Sequence, residues 1–214
     1  SSEKIGVIAA SRTDAGGHAL DQTVSFKTLS IMPINAFHLG LNSYLPKDIR
    51  ILEALEGDSS FNARWSSKGK TYNYFFYQSE KKNIFLDPNA WHIEDSLDIV
   101  LMNQAASFII GEHDFSAFRS SGCGSKNPVR VISESSIFQA SFLFTPFNEK
   151  IFCYSITGTA FLKQMVRSIV GTLAEVGLKK ISVKEFQEIL HSKDRKLAGK
   201  TAPARGLFLK KIYY

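Results

Sequence analysis

The amino-acid sequence predicts an α+β fold in which helices flank a mixed sheet. Aromatic and β-branched runs such as KTYNYFFYQ, residues 70–78, are typical of strands. A continuous apolar stripe with helical spacing follows Gly158 and predicts a long, well-packed helix. Strand and helix patterns alternate irregularly over the 214 residues without an internal repeat, which favours hairpins over a regular series of parallel strands and crossover helices.

The first half of the chain carries three predicted strands. KIGVIAAS (4–11) is typical of a buried strand and runs directly into SRTDAGGHAL (11–20), whose aspartate and glycines predict a turn. TVSF (23–26) has the alternation of a short strand. Along 70–78, a period of two places four side chains on one face, namely Lys70, Tyr72, Tyr74 and Phe76.

Two helices are predicted from apolar residues three or four positions apart. The first spans 96–111 with Gly111 in the stop position. Its inward residues are Leu97, Leu101, Ala105 and Phe108. The second spans 161–177, and its apolar stripe leaves Lys163 and Arg167 on the other side of the helix.

The remainder of the second half combines strands with one more helix. VRVISESSIFQASFLF (129–144) and KIFCYSIT (150–157) are typical of two strands joined by a turn at Pro146. SVKE (182–185) is a capping box and predicts the start of a helix. GLFLKKIYY (206–214) predicts a terminal strand.

Composition places the chain among ordinary folded proteins, with 44% hydrophobic and 21% charged residues. No apolar stretch reaches the roughly 18 residues that a membrane helix needs, and the N-terminus lacks the pattern of a secretory signal. These features predict a soluble, cytoplasmic protein with no membrane partner. Cys123 and Cys153 are too few for a disulfide framework and are expected to be reduced thiols.

The net charge of +6 is concentrated near the C-terminus. Residues 158–214 hold 12 basic and 4 acidic residues, a balance of +8, whereas the rest of the chain balances at −2. Such a segment favours a nucleic-acid partner, although a solvated surface carries similar charge without any partner. The candidate phosphate contacts are Lys163, Lys179, Lys180, Lys184, Lys193, Arg195, Lys196 and Lys200.

Two other kinds of site are disfavoured. SSKGKT (66–71) ends like a phosphate-binding loop, but Arg64 stands where that loop requires glycine, and a strand follows instead of a helix. The histidines occur singly and without metal-ligand spacing, at His18, His38, His92, His113 and His191. We therefore expect neither a nucleotide triphosphate site nor a metal.

Asp14 has two interpretations that its own neighbours do not separate. Aspartate followed by Ala-Gly-Gly is ordinary turn chemistry. The same place, where a strand ends in a glycine-rich turn, commonly presents a carboxylate to a ligand. Likewise, Tyr72 alone is most simply an aromatic residue of the sheet, and Arg167 alone a solvated helix residue.

Five motifs taken together favour chemistry. They closely resemble the tRNA pseudouridine synthases of the TruA family, and they extend through almost the whole chain. The motifs are RTDAG (12–16), KTYNY (70–74), GEHDFSAFR (111–119), FLKQMVRSIVGTLAEVG (161–177) and TAPARGLFLKKIYY (201–214).

The resemblance implies a role for each of four residues. Asp14 matches the nucleophilic aspartate, Tyr72 the tyrosine that stacks on the target base, and Arg167 the arginine that pairs with the aspartate. Arg12 matches the arginine that helps to occupy the space of the flipped base. Charge pairing with an arginine favours the ionised, nucleophilic form of an aspartate, and the isomerisation needs no cofactor or metal.

The resemblance also implies an architecture and a substrate. It implies a mixed, largely antiparallel sheet of two related lobes, here 1–95 and 96–214, with the site in the cleft between them. It further implies a homodimer that holds one tRNA across both subunits and modifies uridines of the anticodon stem-loop, at tRNA positions 38 to 40.

The chain departs from the family pattern in three ways. Ser11 stands where glycine is usual, and Gly17 stands where valine is usual, which puts the rigidity of the turn around Asp14 in doubt. Family members usually begin with a further strand and helix, so a fragment or truncated product is expected. The alternative function is therefore a catalytically impaired, RNA-binding remnant of the same fold.

Overall fold

The structure, a computed structural model, describes residues 3–141 and 149–214. Over these residues the strands are β1 (Ile8–Ala9), β2 (His18–Ala19), β3 (Val24–Ser25), β4 (Gly69–Gln78), β5 (Trp91–Ile93), β6 (Gly111–Asp114), β7 (Val129–Ala140), β8 (Lys150–Gly158) and β9 (Leu207–Tyr213). The α-helices are α1 (Ile34–Tyr44), α2 (Ile99–Ser107), α3 (Met165–Gly177) and α4 (Val183–Ser192). Within the described part of the chain, no helix is both long and apolar enough to cross a membrane.

The chain forms two units, and the smaller one comprises residues 3–11 and Thr23–Ser66. It contains the antiparallel pair β1 and β3 and the helix α1. The helix begins after Pro33, whose fixed φ suits a helix start. On α1, the side chains of His38 and Asn42 both contact the carbonyl of Ile51 and so fasten the segment that follows the helix.

The larger unit, Arg12–Gln22 with Ser67–Tyr214, contains a seven-stranded sheet. Its strand order is β2-β9-β4-β8-β7-β6, with β5 also paired to β4. The pairs β2–β9 and β4–β5 are parallel, and the other pairs are antiparallel. The predicted α+β class with a mixed, largely antiparallel sheet is therefore confirmed. The division into lobes 1–95 and 96–214 stays a prediction.

The strand β4 is the centre of this sheet, because β8 lies along one edge and β9 and β5 share the other. Both faces of β4 are covered, so Thr71 and Asn73 are buried together with the aromatic residues between and beyond them. Tyr74 of β4 and Tyr154 of β8 lie opposite each other, and both side chains are fully buried. The aromatic and β-branched composition of β4 suits a strand that is covered on both faces.

The helices differ from their predicted bounds for identifiable reasons. The carboxylate of Asp98 caps α2 by accepting the amide of Leu101, and the helix ends before Phe108 rather than at Gly111, which opens β6. The helix α3 begins at Met165 rather than at residue 161, because Gln164 has a left-handed φ of 59°. The predicted capping box of α4 is confirmed, with Ser182 and Glu185 bonded reciprocally.

The predicted strands of the second half agree with β7, β8 and β9. Residues 142–144 of the first of them and the predicted turn at Pro146 lie outside the described residues. In the first half, KIGVIAAS is a strand over only two residues, and the prediction that it is buried is wrong, because Ile5, Val7 and Ile8 are exposed. The elements α1, β2, β5 and β6 were not predicted.

Candidate active site

The turn that carries Asp14 is held by a hydrogen bond of its own and by the strand that follows it. The carbonyl of Asp14 accepts the amide of Gly17 at 3.0 Å, and Gly16 between them has a φ of 81°, a left-handed conformation that favours glycine. The chain then enters β2, where the ring of His18 stacks on Phe208 of β9 with 4.4 Å between centroids. Pairing with β9 therefore determines where the turn presents Asp14.

Arg167 of α3 reaches this turn from a position 153 residues further along the chain. Its Nη1 donates to Oδ2 of Asp14 at 2.7 Å. The side chains are 13% and 21% exposed, so the pair is largely shielded from water yet still accessible. A charge-assisted hydrogen bond of this length in such surroundings holds the carboxylate in one orientation.

The other side of the Arg167 guanidinium is also bound. Its Nε donates to the carbonyl of Ala202 at 2.7 Å, and the amide of Ala202 donates back to the carbonyl of Arg167 at 3.1 Å. These two reciprocal hydrogen bonds require the chain near residue 200 to lie directly against α3. Gly171 permits it, because a Cβ at that position would lie 1.7 Å from the carbonyl oxygen of Lys200.

Tyr74 of β4 fixes the same segment from the sheet. Its hydroxyl donates to the carbonyl of Pro203 at 2.7 Å, one residue beyond the contact with Arg167. Burial raises the pKa of Tyr74 far above its usual value, although Arg167 and Arg205 oppose the shift. The hydroxyl therefore stays protonated and acts as a donor throughout the pH range in which proteins are folded.

Tyr72 lies two residues before Tyr74 on β4 and is 6% exposed. Its ring meets that of Phe161 edge to face, with 5.0 Å between centroids. The pairing of β4 with β9 shifts register between Thr71 and Tyr72, and such irregularities re-aim side chains next to binding sites. Phe161 thus packs against the ring that the resemblance assigns to base stacking, and the low exposure of Tyr72 leaves only a small part of that ring open to a ligand in this structure.

Arg12 lies two residues before Asp14 and is exposed. Its side chain forms no ion pair or hydrogen bond with the part of the chain that the structure describes. The structure thus brings Asp14 and Arg167 into contact, packs Tyr72 against Phe161, and leaves the Arg12 side chain extending into solvent. In the described ranges 3–141 and 149–214, no three His, Cys, Asp or Glu side chains are grouped so that they could hold a metal.

The eight predicted phosphate contacts differ in their surroundings. Three lysines form exposed ion pairs, Lys179 with Asp98, Lys184 with Glu188 and Lys193 with Asp114. The guanidinium of Arg195 is only half exposed and donates to the carbonyls of Ala198 and Gly199 and to the hydroxyl of Thr201. The remaining lysines, Lys163, Lys180, Lys196 and Lys200, are exposed.

Three residues that organise the site were not identified from the sequence. Tyr74 was assigned only to a strand face, and Gly171 and Ala202 were not considered. MVRSIVG contains Gly171 and TAPARG contains Ala202, so the available signal was one small residue inside each motif. Arg167 was placed on the solvated side of its helix by the apolar stripe, but its side chain is largely buried because the segment around Ala202 covers that side.

The arrangement has the features of a site for nucleophilic catalysis by a carboxylate, because a partly accessible aspartate is oriented by a second residue that is itself fixed. A family model described as tRNA pseudouridine synthase matches residues 105–214. The tRNA pseudouridine synthase A of Acetivibrio thermocellus is 46% identical over 212 residues, which cover 99% of this chain and 84% of that protein. The corresponding proteins of Thermoanaerobacter pseudethanolicus and Geotalea uraniireducens are 42% and 40% identical with the same coverage. The chain therefore belongs to the tRNA pseudouridine synthase family, a family of isomerases, as its five motifs indicate.

Proposed function

We propose that this chain isomerises uridine to pseudouridine in the anticodon stem-loop of tRNA. The observation that carries the proposal is the 2.7 Å contact between Arg167 Nη1 and Asp14 Oδ2. The two residues stand in separate motifs, and only the fold brings them together. Relatives that match 99% of the chain are named tRNA pseudouridine synthase A, which supports tRNA as the substrate.

The reaction is an isomerisation, so its atoms and electrons balance within one nucleotide. The bond between N1 of uracil and C1′ of ribose breaks, the base rotates, and a bond from C5 to C1′ forms. One proton leaves C5 and one is added at N1. Asp14 supplies the nucleophile, which attacks the sugar or the ring and is released as a carboxylate when the product forms.

The other site residues position the nucleotide and the carboxylate. Arg167 orients Asp14 by the contact described above. The target nucleotide must leave its stack, which costs a few kcal/mol, and the ring of Tyr72 supplies a surface on which it stacks. Arg12, exposed on the same segment as Asp14, helps to fill the space that the base vacates. The eight candidate phosphate contacts named from the sequence, which lie between Lys163 and Lys200, bind the RNA backbone. The proposal includes a homodimer that holds one tRNA across both subunits and works in the cytoplasm.

The test is to incubate the purified chain with unmodified tRNA transcripts and to map pseudouridine by base-specific chemical labelling. We expect new pseudouridine at uridines of the anticodon stem-loop, and none in a parallel reaction without protein. Modification confined to another arm of the tRNA would contradict the assigned region. Tight RNA binding without any pseudouridine would favour the alternative of an RNA-binding protein that has lost turnover.

A further inference from the structure

A polar pocket lies on the larger unit, beside the loop that joins β6 to β7. It is an open depression in the surface with a volume of about 490 Å³. Its lining combines arginine and lysine side chains with serine hydroxyls and the thiol of Cys123. The lining residues are Ser116, Arg119, Ser120–Cys123, Lys193 and Arg195.

The charge of this pocket favours an anion. Arg119, Lys193 and Arg195 contribute three positive charges to its wall. One carboxylate opposes them: Oδ2 of Asp114 lies 3.5 Å from Lys193 Nζ, while its Oδ1 accepts the amide of Ser116. Two net positive charges therefore remain for a ligand, together with the hydroxyls of Ser116 and Ser121, which suits a phosphate group.

The two guanidinium groups are held in place before any ligand arrives. Arg119 Nη1 donates to the carbonyl of Ser125 at 3.3 Å. Arg195 Nη1 donates to the carbonyls of Ala198 and Gly199, each at 3.1 Å. Because the planar head of a fixed arginine loses little freedom when it binds an oxyanion, these contacts favour recognition over a merely solvated charge.

The pocket shares one chain segment with the candidate active site. The amide of Ser120 donates to the carbonyl of Lys163 at 3.2 Å, and Lys163 Nζ donates back to the carbonyl of Ser121 at 3.4 Å. Lys163 lies two residues after Phe161, which packs on Tyr72, and four before Arg167, which holds Asp14. A ligand in the pocket therefore contacts the loop that fastens the start of this catalytic segment.

We propose that this pocket binds a backbone phosphate of the RNA strand that carries the target uridine. The proposal rests on the proposed function for its ligand, since a phosphodiester next to the flipped nucleotide is the anion that this enzyme meets. Phosphate contacts fix the register of a protein on a nucleic acid without reading its sequence. The pocket would thereby set which nucleotide faces Asp14.

Cys123 gives a direct probe of occupancy. Burial alone would raise the pKa of its thiol, but hydrogen bonds from the amides of Lys163 and Ser125 and the charges of Arg119 and Arg130 lower it below the usual value. Cys153 is buried in the sheet, and burial raises its pKa to about 12. Alkylation of the folded protein near neutral pH therefore reports on Cys123.

The first arm of the test measures alkylation of Cys123 by iodoacetamide with mass spectrometry of the modified peptide. We expect saturating tRNA to slow the reaction about tenfold or more, and inorganic phosphate at the same phosphate concentration to leave it unchanged. Equal protection by inorganic phosphate would assign the pocket to a free anion. Unchanged alkylation in the tRNA complex would overturn the proposal.

The second arm measures tRNA affinity against salt for Arg119→Gln. Loss of one phosphate contact should weaken binding about tenfold and reduce the slope of log Kd against log salt by about 0.7–0.9. Lys210→Gln, an exposed residue of β9 with the same charge change, should keep the wild-type slope. If Arg119→Gln unfolds the loop, Lys193→Gln tests the same pocket from a side chain that is 61% exposed.

The outcomes separate this proposal from the proposed function. Wild-type protein that forms pseudouridine, with both pocket variants unchanged in affinity and slope, would overturn the pocket alone. Wild-type protein that forms no pseudouridine, yet shows Cys123 protection and the altered slopes, would overturn the enzymatic function and keep the phosphate site.

Discussion

Replacing Arg167 by lysine should lower the rate of pseudouridine formation about 10- to 150-fold while leaving tRNA affinity nearly unchanged. Arg167 makes two bonds at once, from Nη1 to Asp14 and from Nε to Ala202, each 2.7 Å long. A lysine ammonium keeps the charge but cannot reach both oxygens in this geometry. A hydrogen bond to a charged group contributes about 1.5–3 kcal/mol, and about 1.4 kcal/mol corresponds to a factor of ten in rate.

The assay is single-turnover pseudouridine formation with protein in excess, so that substrate binding and product release do not limit the measured rate. The matched control is Arg205→Lys, which makes the same change in another arginine–aspartate pair, with Arg205 Nη2 3.2 Å from Asp87 Oδ1. That pair has side chains 35% and 30% exposed, and we expect its variant to retain a rate within about twofold of wild type.

A third variant separates charge from geometry. Arg167→Met leaves Asp14 without its partner, so its rate should fall below that of Arg167→Lys. Breaking a shielded pair in this way also costs up to about 3–5 kcal/mol of folding stability. Full activity of Arg167→Lys would refute the claim that the two-point contact positions Asp14. Full activity of Arg167→Met would refute any role of the pair in the reaction. Rates are compared below the unfolding midpoint of each variant.

Three further predictions follow from the contacts around the pair. Tyr72→Phe should retain most turnover and Tyr72→Ala should lose it severely, because base stacking contributes about 1–3 kcal/mol through the ring face; complete loss in both variants would assign the role to the hydroxyl. Gly171→Ala should lower the calorimetric unfolding midpoint together with turnover, because its Cβ would overlap the carbonyl of Lys200; a midpoint equal to wild type would contradict the close packing. Tyr74→Phe removes the hydroxyl that donates to the carbonyl of Pro203, and leaving a buried carbonyl without its donor costs about 1–3 kcal/mol. We therefore expect kcat to fall several-fold while KM stays unchanged. A change in KM alone would exclude a positioning role.

Local sequence patterns were sufficient to predict most of the sheet. The strands β4, β7, β8 and β9 are long and rich in β-branched or aromatic residues, so alternation and composition indicate them without knowledge of their partners. The capping box at Ser182 likewise depends on residues three positions apart. By contrast, β2 and β5 have two and three residues and exist because β9 and β4 offer an edge, which no local pattern encodes.

The candidate active site depends even more on contacts between distant segments, which local sequence patterns do not show. The motif containing Asp14 indicated chemistry only through its resemblance to a family, since a turn explains the same residues. The apolar stripe of α3 correctly placed its buried side but left Arg167 in solvent, because the segment around Ala202 that covers it comes 35 residues later. The role of Gly171 depends on the same tertiary approach. Helix periodicity describes one element and cannot show which other segment packs against it.

The central claim is that Asp14 is the nucleophile, and Asp14→Asn tests it most directly. Single-turnover pseudouridine formation and tRNA affinity are measured on the same preparation, with Asp98→Asn as the control, because asparagine also caps a helix and the charge change is identical. We predict no detectable pseudouridine and nearly wild-type affinity for Asp14→Asn, and a wild-type rate for Asp98→Asn. An Asp14→Asn protein that kept a tenth or more of the wild-type rate would contradict the account.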